Sequence, residues 1–420
     1  MTIWFLVGYM WFYIHRVFER WTAFEGYNLT HTYLAFLAIV WLFIGDKSRF
    51  FRNIFTPALL LYTLVIVISA IFGPYVAVFD NWNLNNWLLH VAFFLILIMC
   101  VKTEREMKIL LTGFTIVYFI FMMDSYWNYI YGSAYFSMGI QRLQGAVGSR
   151  ASTNGYATAL VCALPMLVAL LTLCKRYWHY LFVLGYVLLA VRSVMLSGSR
   201  TALIMLIALA VLPVLFSRYR FHLIPIVLIA LPVGWMVMPE EMQNRFRTTW
   251  DPSVERLQGQ GGATVSRDGR IQGFYDGLNN WLKHPILGTG PGGHMQASGA
   301  NLIAHNLPGQ VAGELGTLGI ITFLFVLSCF GVNHYNNWKN YKFLRENNFS
   351  KEGLYCWRVS IAVIYAIAMV LIQGIGLNNA WFYQWAWFGA FHALATMFMQ
   401  EKVDAAIKGK LLPSLPVTKG

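Results

Sequence analysis

The feature that most constrains this chain is a succession of long apolar runs divided by short basic connectors. Of its 420 residues, 58% are hydrophobic and 12% charged, where a soluble domain carries roughly 25% charged residues. Crossing the hydrocarbon core takes about 20 apolar residues per helix. There, a spanning segment must satisfy its own backbone hydrogen bonds, which selects helices. The expected fold class is an all-α polytopic membrane protein, one transmembrane domain over 1–420. Candidate spans fall at 3–14, 32–44, 57–73, 87–101, 107–123, 151–173, 177–195, 201–216, 221–238, 307–332, 357–375 and 382–399, about twelve helices. The first two are short enough to be tilted or interfacial.

The connectors give an orientation. Lys47, Arg49 and Arg52 share one; Lys102, Arg105 and Lys108 share the next but one. Lys175 and Arg176, then Arg218 and Arg220, then Lys339, Lys342, Arg345 and Lys351, and finally Lys402, Lys408 and Lys410 continue the series. The intervening stretches 73–86 and 374–381 hold no Lys or Arg. This alternation predicts cytoplasmic termini, with a flexible tail at 408–420. It also accounts for most of the +13 net charge, so no nucleic-acid partner is called for. The five cysteines (Cys100, Cys162, Cys174, Cys329, Cys356) lie in or beside apolar runs without CxxC spacing and read as buried hydrophobes. Residues 1–14 lack a basic leader and a small-residue cleavage site, which predicts a retained helix.

One polar interruption stands out, 239–306, which the alternation places outside. It holds Arg245, Arg247, Arg256, Arg267-Asp268-Gly269-Arg270, the turn-rich run from His284 through Gly293, and His305-Asn306. Loops longer than about 15 residues are either functional or disordered. Phe246, Trp250, Phe274 and a helical-looking run over 268–283 argue for order.

The outer face should be poor in arginine, yet Arg142, Arg150, Arg192, Arg200, Arg267 and Arg270 all fall there. In Ser197-Gly198-Ser199-Arg200-Thr201, glycine and serines suit a turn with free N–H groups, and Arg200 adds a planar fork that holds phosphate oxygens in pairs. The bland alternative is a snorkelling arginine at a helix end. Arg267 and Arg270 open the loop's helical run, where a solvated helix start is the plain reading. His305, at the point of membrane re-entry, can take a proton from a hydroxyl at neutral pH, with Asn306 orienting it or binding a substrate oxygen. A lone interfacial histidine more often only caps. Glu314 is an acidic residue well inside a span, where such groups face a cavity or a partner, here an arginine or His305. Arg142 and Arg150 precede the sixth span and can line the same outer cavity. No DxD pair, HExxH, P-loop or nucleophile elbow is present, so no metal or other cofactor is expected. Arginines with one histidine suit a diphosphate leaving group and a histidine base.

Ser197-Gly198-Ser199-Arg200, then Gly269-Arg270, then His284-Pro285-Ile286-Leu287-Gly288-Thr289-Gly290, then His305-Asn306 and Glu314-Leu315-Gly316-Thr317-Leu318-Gly319 together resemble the O-antigen ligase and polymerase superfamily of bacterial membrane glycosyltransferases. The likeness is strongest over 197–320. It implies a GT-C-type helical fold with a periplasmic active site in the bacterial inner membrane, and a donor glycan on undecaprenyl diphosphate. It further implies that Arg200 and Arg270 stabilise the diphosphate, that His305 is the general base, and that a metal-independent single displacement inverts the anomeric carbon. Arg142, Arg150, Ser197, Ser199, Arg267, Asn306 and Glu314 are the candidate substrate-binding residues. Two positions depart from the pattern: Pro308 stands where it would interrupt a helix start, and Ser152-Thr153-Asn154 lacks a proline beside the asparagine. The first expectation is a ligase acting on a lipid A–core acceptor. A chain-extending polymerase or a protein O-glycan ligase shares its donor, and a lipid-glycan transporter is the reading from another class. Glu314, nearly alone within the spans, disfavours transport.

Overall fold

The computed structural model describes residues 2–16, 27, 29–75, 82–132, 136–137, 140–145, 152–215, 220–247, 251, 263–299 and 304–409; for 263–268 it describes the helix alone. In chain order the helices are α1 Thr2–His15, α2 Leu29–Ile44, α3 Phe55–Phe72, α4 Trp82–Cys100, α5 Glu104–Tyr131, α6 Thr153–Ala163, α7 Leu167–Leu170, α8 Tyr177–Ser197, α9 Arg200–Leu215, α10 Arg220–Val237, α11 Glu240–Arg247, α12 Ala263–Lys283, α13 His294–Ser298, α14 Leu307–Glu346, α15 Ser350–Gly376 and α16 Tyr383–Ile407. The described strands are a two-residue pair, Phe136–Ser137 against Ile140–Gln141.

Among the described residues, eight helical segments are long and apolar enough to cross a membrane: Phe55–Phe72, Asn83–Cys100, Glu104–Tyr131, Thr153–Leu173, Tyr177–Ser197, Arg220–Val237, Leu307–Glu346 and Ser350–Gly376. That is the architecture of a multi-pass all-α membrane protein. Every one of the predicted spans falls on helix, but not all reach membrane length and apolarity. Ile3–His15, Leu29–Ile44 and Arg200–Leu215 are shorter apolar helices. The last predicted span, on α16, is not among the eight, and its sequence carries Trp, Gln, Tyr and His. That composition is tolerable because α16 runs through the centre of the bundle, with Trp385, Trp387, Phe388, Phe391 and Leu394 buried against other helices. A helix surrounded by protein has no need of a lipid-compatible surface.

The core forms where α3, α4, α14 and α15 close around α16. Tyr62 on Trp87, Phe323 on Trp385 and Phe55 on Phe330 meet there edge to face, and Tyr62 meets Phe323 at a tilt, the edge-to-face arrangement being one that aromatic quadrupoles favour. At the other extreme, none of α10 is buried in the bundle. The cysteines are all free, four of them buried and Cys174 partly so, in keeping with apolar packing.

The described part of the predicted outer loop is largely helical, in α11, α12 and α13. Its turn-rich run docks on a break in α14 at Gly316, whose φ of 65° and ψ of −159° only glycine adopts readily. The Thr289 and Gly290 N–H groups donate to the carbonyls of Gly313 and Glu314 at 2.9 and 3.0 Å, and Thr317 N–H donates to Pro285 O at 2.8 Å. A broken helix in a membrane protein must have its freed backbone groups satisfied, and this turn does so. A Cβ at Gly288 would lie 2.4 Å from the Glu314 carbonyl carbon, and one at Gly316 would lie 2.5 Å from Ile286 O. The contact therefore admits glycine at both places.

Candidate active site

The site begins at the turn between α8 and α9. Gly198 ends α8 in the left-handed conformation (φ 60°, ψ 23°), which costs most side chains energy but not glycine. Two buried arginines brace this turn from opposite sides. Arg142 Nε donates to Ser197 O at 2.8 Å and its Nη2 to Asn154 Oδ1 at 3.2 Å. Arg245 Nε donates to Gly198 O at 2.8 Å. The serine hydroxyls serve the turn itself: Ser197 Oγ donates to Val194 O at 2.7 Å and accepts from Ser199 N at 3.1 Å. Ser199 Oγ sits 3.4 Å from Ala202 N at the start of α9. Arg200, the first residue of α9, is thereby held half-buried on a rigid base.

Arg245 arrives through α11, where Met242, Arg245 and Phe246 form its buried face. Met242 and Phe246 join Ile140, Met195 and Met238 in a small apolar cluster beneath the turn. That packing carries the guanidinium onto Gly198.

Arg270 comes from α12. This helix packs closely on the start of α14, since a Cβ at Gly277 would lie 2.4 Å from Gly309 O. Asn306 caps α14, accepting from Gly309 N–H at 2.7 Å, and its amide nitrogen lies 3.4 Å from Arg270 O. Pro308 falls in the first turn of α14, where its missing N–H has no helical partner to lose. The proline thus starts the helix; the expected interruption does not occur. Asn154 likewise has a role without an adjacent proline, as the acceptor for Arg142, while Ser152 caps α6 by accepting from Gly155 N–H.

Arg200, Arg245 and Arg270 lie within electrostatic reach of one another. Burial first, then the Arg200 and Arg270 charges, bring Arg245 down to about 10, so it stays protonated at neutral pH. Burial and then the Arg200 charge lower Arg270. Burial, then the neighbouring Arg270 charge, push the His305 imidazole below its usual value and hold it neutral at pH 7. A second histidine belongs to the same group. His294 is buried with neither ring nitrogen hydrogen-bonded. Burial lowers its pKa, with Asp276 opposing and His305 adding to the shift.

The other predicted residues are placed as follows. Glu314 is buried at the helix break among Gly292, Gln310 and Trp381, with Oε2 lacking a hydrogen bond; those neighbours, rather than an arginine or His305, surround it. Arg267 lies on α12, and Arg150 lies outside the described residues. Arg192 sits on α8 near Tyr129. Arg245 was noted in the outer loop but not among the candidate site residues, and His294 was not singled out at all. A signal for the first exists: Met242, Arg245 and Phe246 recur at helical spacing, which puts a cation on an apolar face. His294 has no comparable signal. Among the described residues, no three His, Cys, Asp or Glu side chains gather as a metal site would require.

The arrangement is a partly buried cluster of three guanidiniums beside a neutral imidazole. Gathering like charges has an electrostatic cost that a bound anion offsets. A neutral histidine in the same place can accept a proton from a hydroxyl. Residues 185–324 match the model of the family described as O-antigen ligase. That is about a third of the 420-residue chain, and it contains Arg200, Arg245, Arg270, His294, His305 and Glu314. The match supports the O-antigen ligase family, a ligase- or polymerase-type function and a glycosyltransferase-like enzyme. A search of curated proteins finds no match to the chain.

Proposed function

We propose that the protein is an O-antigen ligase of the bacterial inner membrane, transferring a glycan from undecaprenyl diphosphate to a hydroxyl of the lipid A–core at the periplasmic face. The observation that carries this reading is the convergence of Arg200, Arg245 and Arg270 beside His305, inside the segment that matches the family. The arginines take the diphosphate. His305 removes the proton from the acceptor hydroxyl as its oxygen attacks the anomeric carbon. The bond from that carbon to the phosphate oxygen breaks on the opposite face, the diphosphate keeps the electron pair, and the anomeric configuration inverts. Guanidinium charge in a half-dry pocket stabilises the negative charge that builds on the leaving oxygen. The same charge does what a divalent cation does in other transferases, so the reaction proceeds without metal. Asn306 caps α14 beside the base and holds its position.

The alternation of basic connectors supports the orientation, with both termini cytoplasmic and 239–306 periplasmic. The test is transfer by purified protein in detergent with EDTA, given an undecaprenyl-diphosphate glycan and lipid A–core. Single addition to the core supports the ligase. A ladder of lengthening undecaprenyl-linked chains would instead make the protein a polymerase, and no product with either acceptor would overturn the reading.

A further inference from the structure

Far from the arginine–histidine site, a second polar cavity opens between α3, α14 and α16. Asn333 lies 17 residues beyond the break at Gly316 along α14, about 25 Å at 1.5 Å per residue, so the cavity is on the far side of that break from Asn306. Its volume is about 500 Å³ and its lining is Arg52, Asn53 and Ile54 before α3; Asn333, Asn336, Lys339 and Asn340 on α14; and Ala393, Thr396, Met397 and Gln400 on α16. Small-molecule sites fall in the range of about 300–1,000 Å³.

The lining is not what a helix end needs for its own stability. Asn333, Asn336, Asn337 and Asn340 stand within one short stretch of α14, and asparagine is a poor helix former. Two of them zip α14 to α16: Asn337 Nδ2 donates to Thr396 Oγ1 at 2.8 Å, and Asn340 Nδ2 to Gln400 Oε1 at 3.0 Å. Asn333 does not. It is 3% exposed and lines the cavity, yet its amide nitrogen has no hydrogen-bond partner. Leaving a buried donor unmatched is unfavourable, and an acceptor in the cavity removes that cost.

The charges point to the nature of that acceptor. The charged lining residues are Arg52 and Lys339, both cationic. The nearby carboxylates have other partners: Glu401 pairs with Arg49 at 3.3 Å, Asp404 accepts from the Gln400 amide at 2.9 Å, and Asp46, within electrostatic reach of Arg52, accepts from Ser48 and pairs with Arg49 at 3.5 Å. Two cations above a buried amide donor suit an anion with several oxygens. Phe51, Tyr335 and Trp338, each next in sequence to a lining residue, are exposed, and such aromatics mark headgroup depth in a bilayer.

We propose that this cavity binds a phosphate-bearing anion, supplied by the headgroup of an anionic phospholipid. The site does not depend on the transfer chemistry, and its test reads binding alone. Native mass spectrometry of the full-length protein compares retention of phosphatidylglycerol with that of phosphatidylcholine. The wild type retains phosphatidylglycerol preferentially. R52Q/K339Q, altered at two exposed positions, and N333L, near in size and without the donor, each retain about tenfold less, the loss of roughly one charged hydrogen bond. Thermal melting confirms that both variants remain folded. If instead inorganic phosphate raises the melting temperature of the wild type but not of R52Q/K339Q, and lipid retention shows no preference, the same group is supplied by free phosphate. Loss in R52Q/K339Q with full retention in N333L would place binding on the basic rim and overturn the cavity site. Equal retention throughout, with no phosphate response, would overturn the proposal entirely.

Discussion

His305 is the residue on which the proposed chemistry turns. His305→Ala is expected to lower transfer by about 10²–10⁴-fold, the usual contribution of a general base, with melting temperature unchanged; wild-type turnover would remove it from the mechanism. Its pH dependence follows from its surroundings. The base works as neutral imidazole, and burial together with the Arg270 charge holds its pKa below the usual value of about 6.5. Activity is therefore full above that value and is lost as pH falls through the lowered one, so the acid limb of kcat/KM lies below pH ~6.5. Arg270→Gln removes one of the two causes and is expected to move that limb upward, in addition to slowing the reaction. At Arg200 an ammonium cannot reproduce a guanidinium fork, and Arg200→Lys should cost about 10²-fold in kcat/KM, comparable to removing a preorganised donor. A near-neutral result there would favour the snorkelling arginine.

Among the elements, the broken helix α14 and the turn docked on it decide whether the site is assembled. Gly316→Ala forces a side chain into a glycine-only conformation and against Ile286 O, 2.5 Å from the new Cβ. A loss of about 1–3 kcal/mol from backbone strain alone is expected, read as a lower temperature of thermal inactivation in detergent. Because Gly316 contributes no side chain to the arginine–histidine group, activity measured on the surviving fraction should stay close to wild type. The motif from His284 to Gly290, which sequence analysis grouped with the chemistry, thus has a structural role in the described contacts: its backbone closes the helix break.

For the whole molecule, the prediction concerns sidedness. With Cys174 replaced by alanine, the remaining native cysteines are buried. Gln296→Cys and Lys351→Cys, both at exposed positions, are expected to react with a membrane-impermeant maleimide from opposite sides, the first from the periplasm of intact cells and the second only after lysis. Labelling of both from the same side would contradict the orientation read from the basic connectors. The same reversal would place the arginine–histidine site on the cytoplasmic face.

Hydropathy and spacing alone determined that this chain is a bundle of membrane helices and where those helices run, because a segment in lipid must bury its own backbone bonds wherever it sits. Arg200, Arg270 and His305 were also conspicuous in the sequence, the two arginines as permanent charges on a face expected to be poor in them and the histidine at the point of membrane re-entry. Tertiary packing decided the rest. It put Arg245 against Gly198 and His294 near His305, brought α12 onto the start of α14 through two glycines, and turned Arg142 and the serines of the α8–α9 turn into supports. It also placed α16, which the sequence analysis read as a span like the others, at the centre of the bundle. Periodicity along a chain reports which face of a helix is apolar. Only the packing of one helix against another decides whether a charge on that face meets lipid, protein or a site.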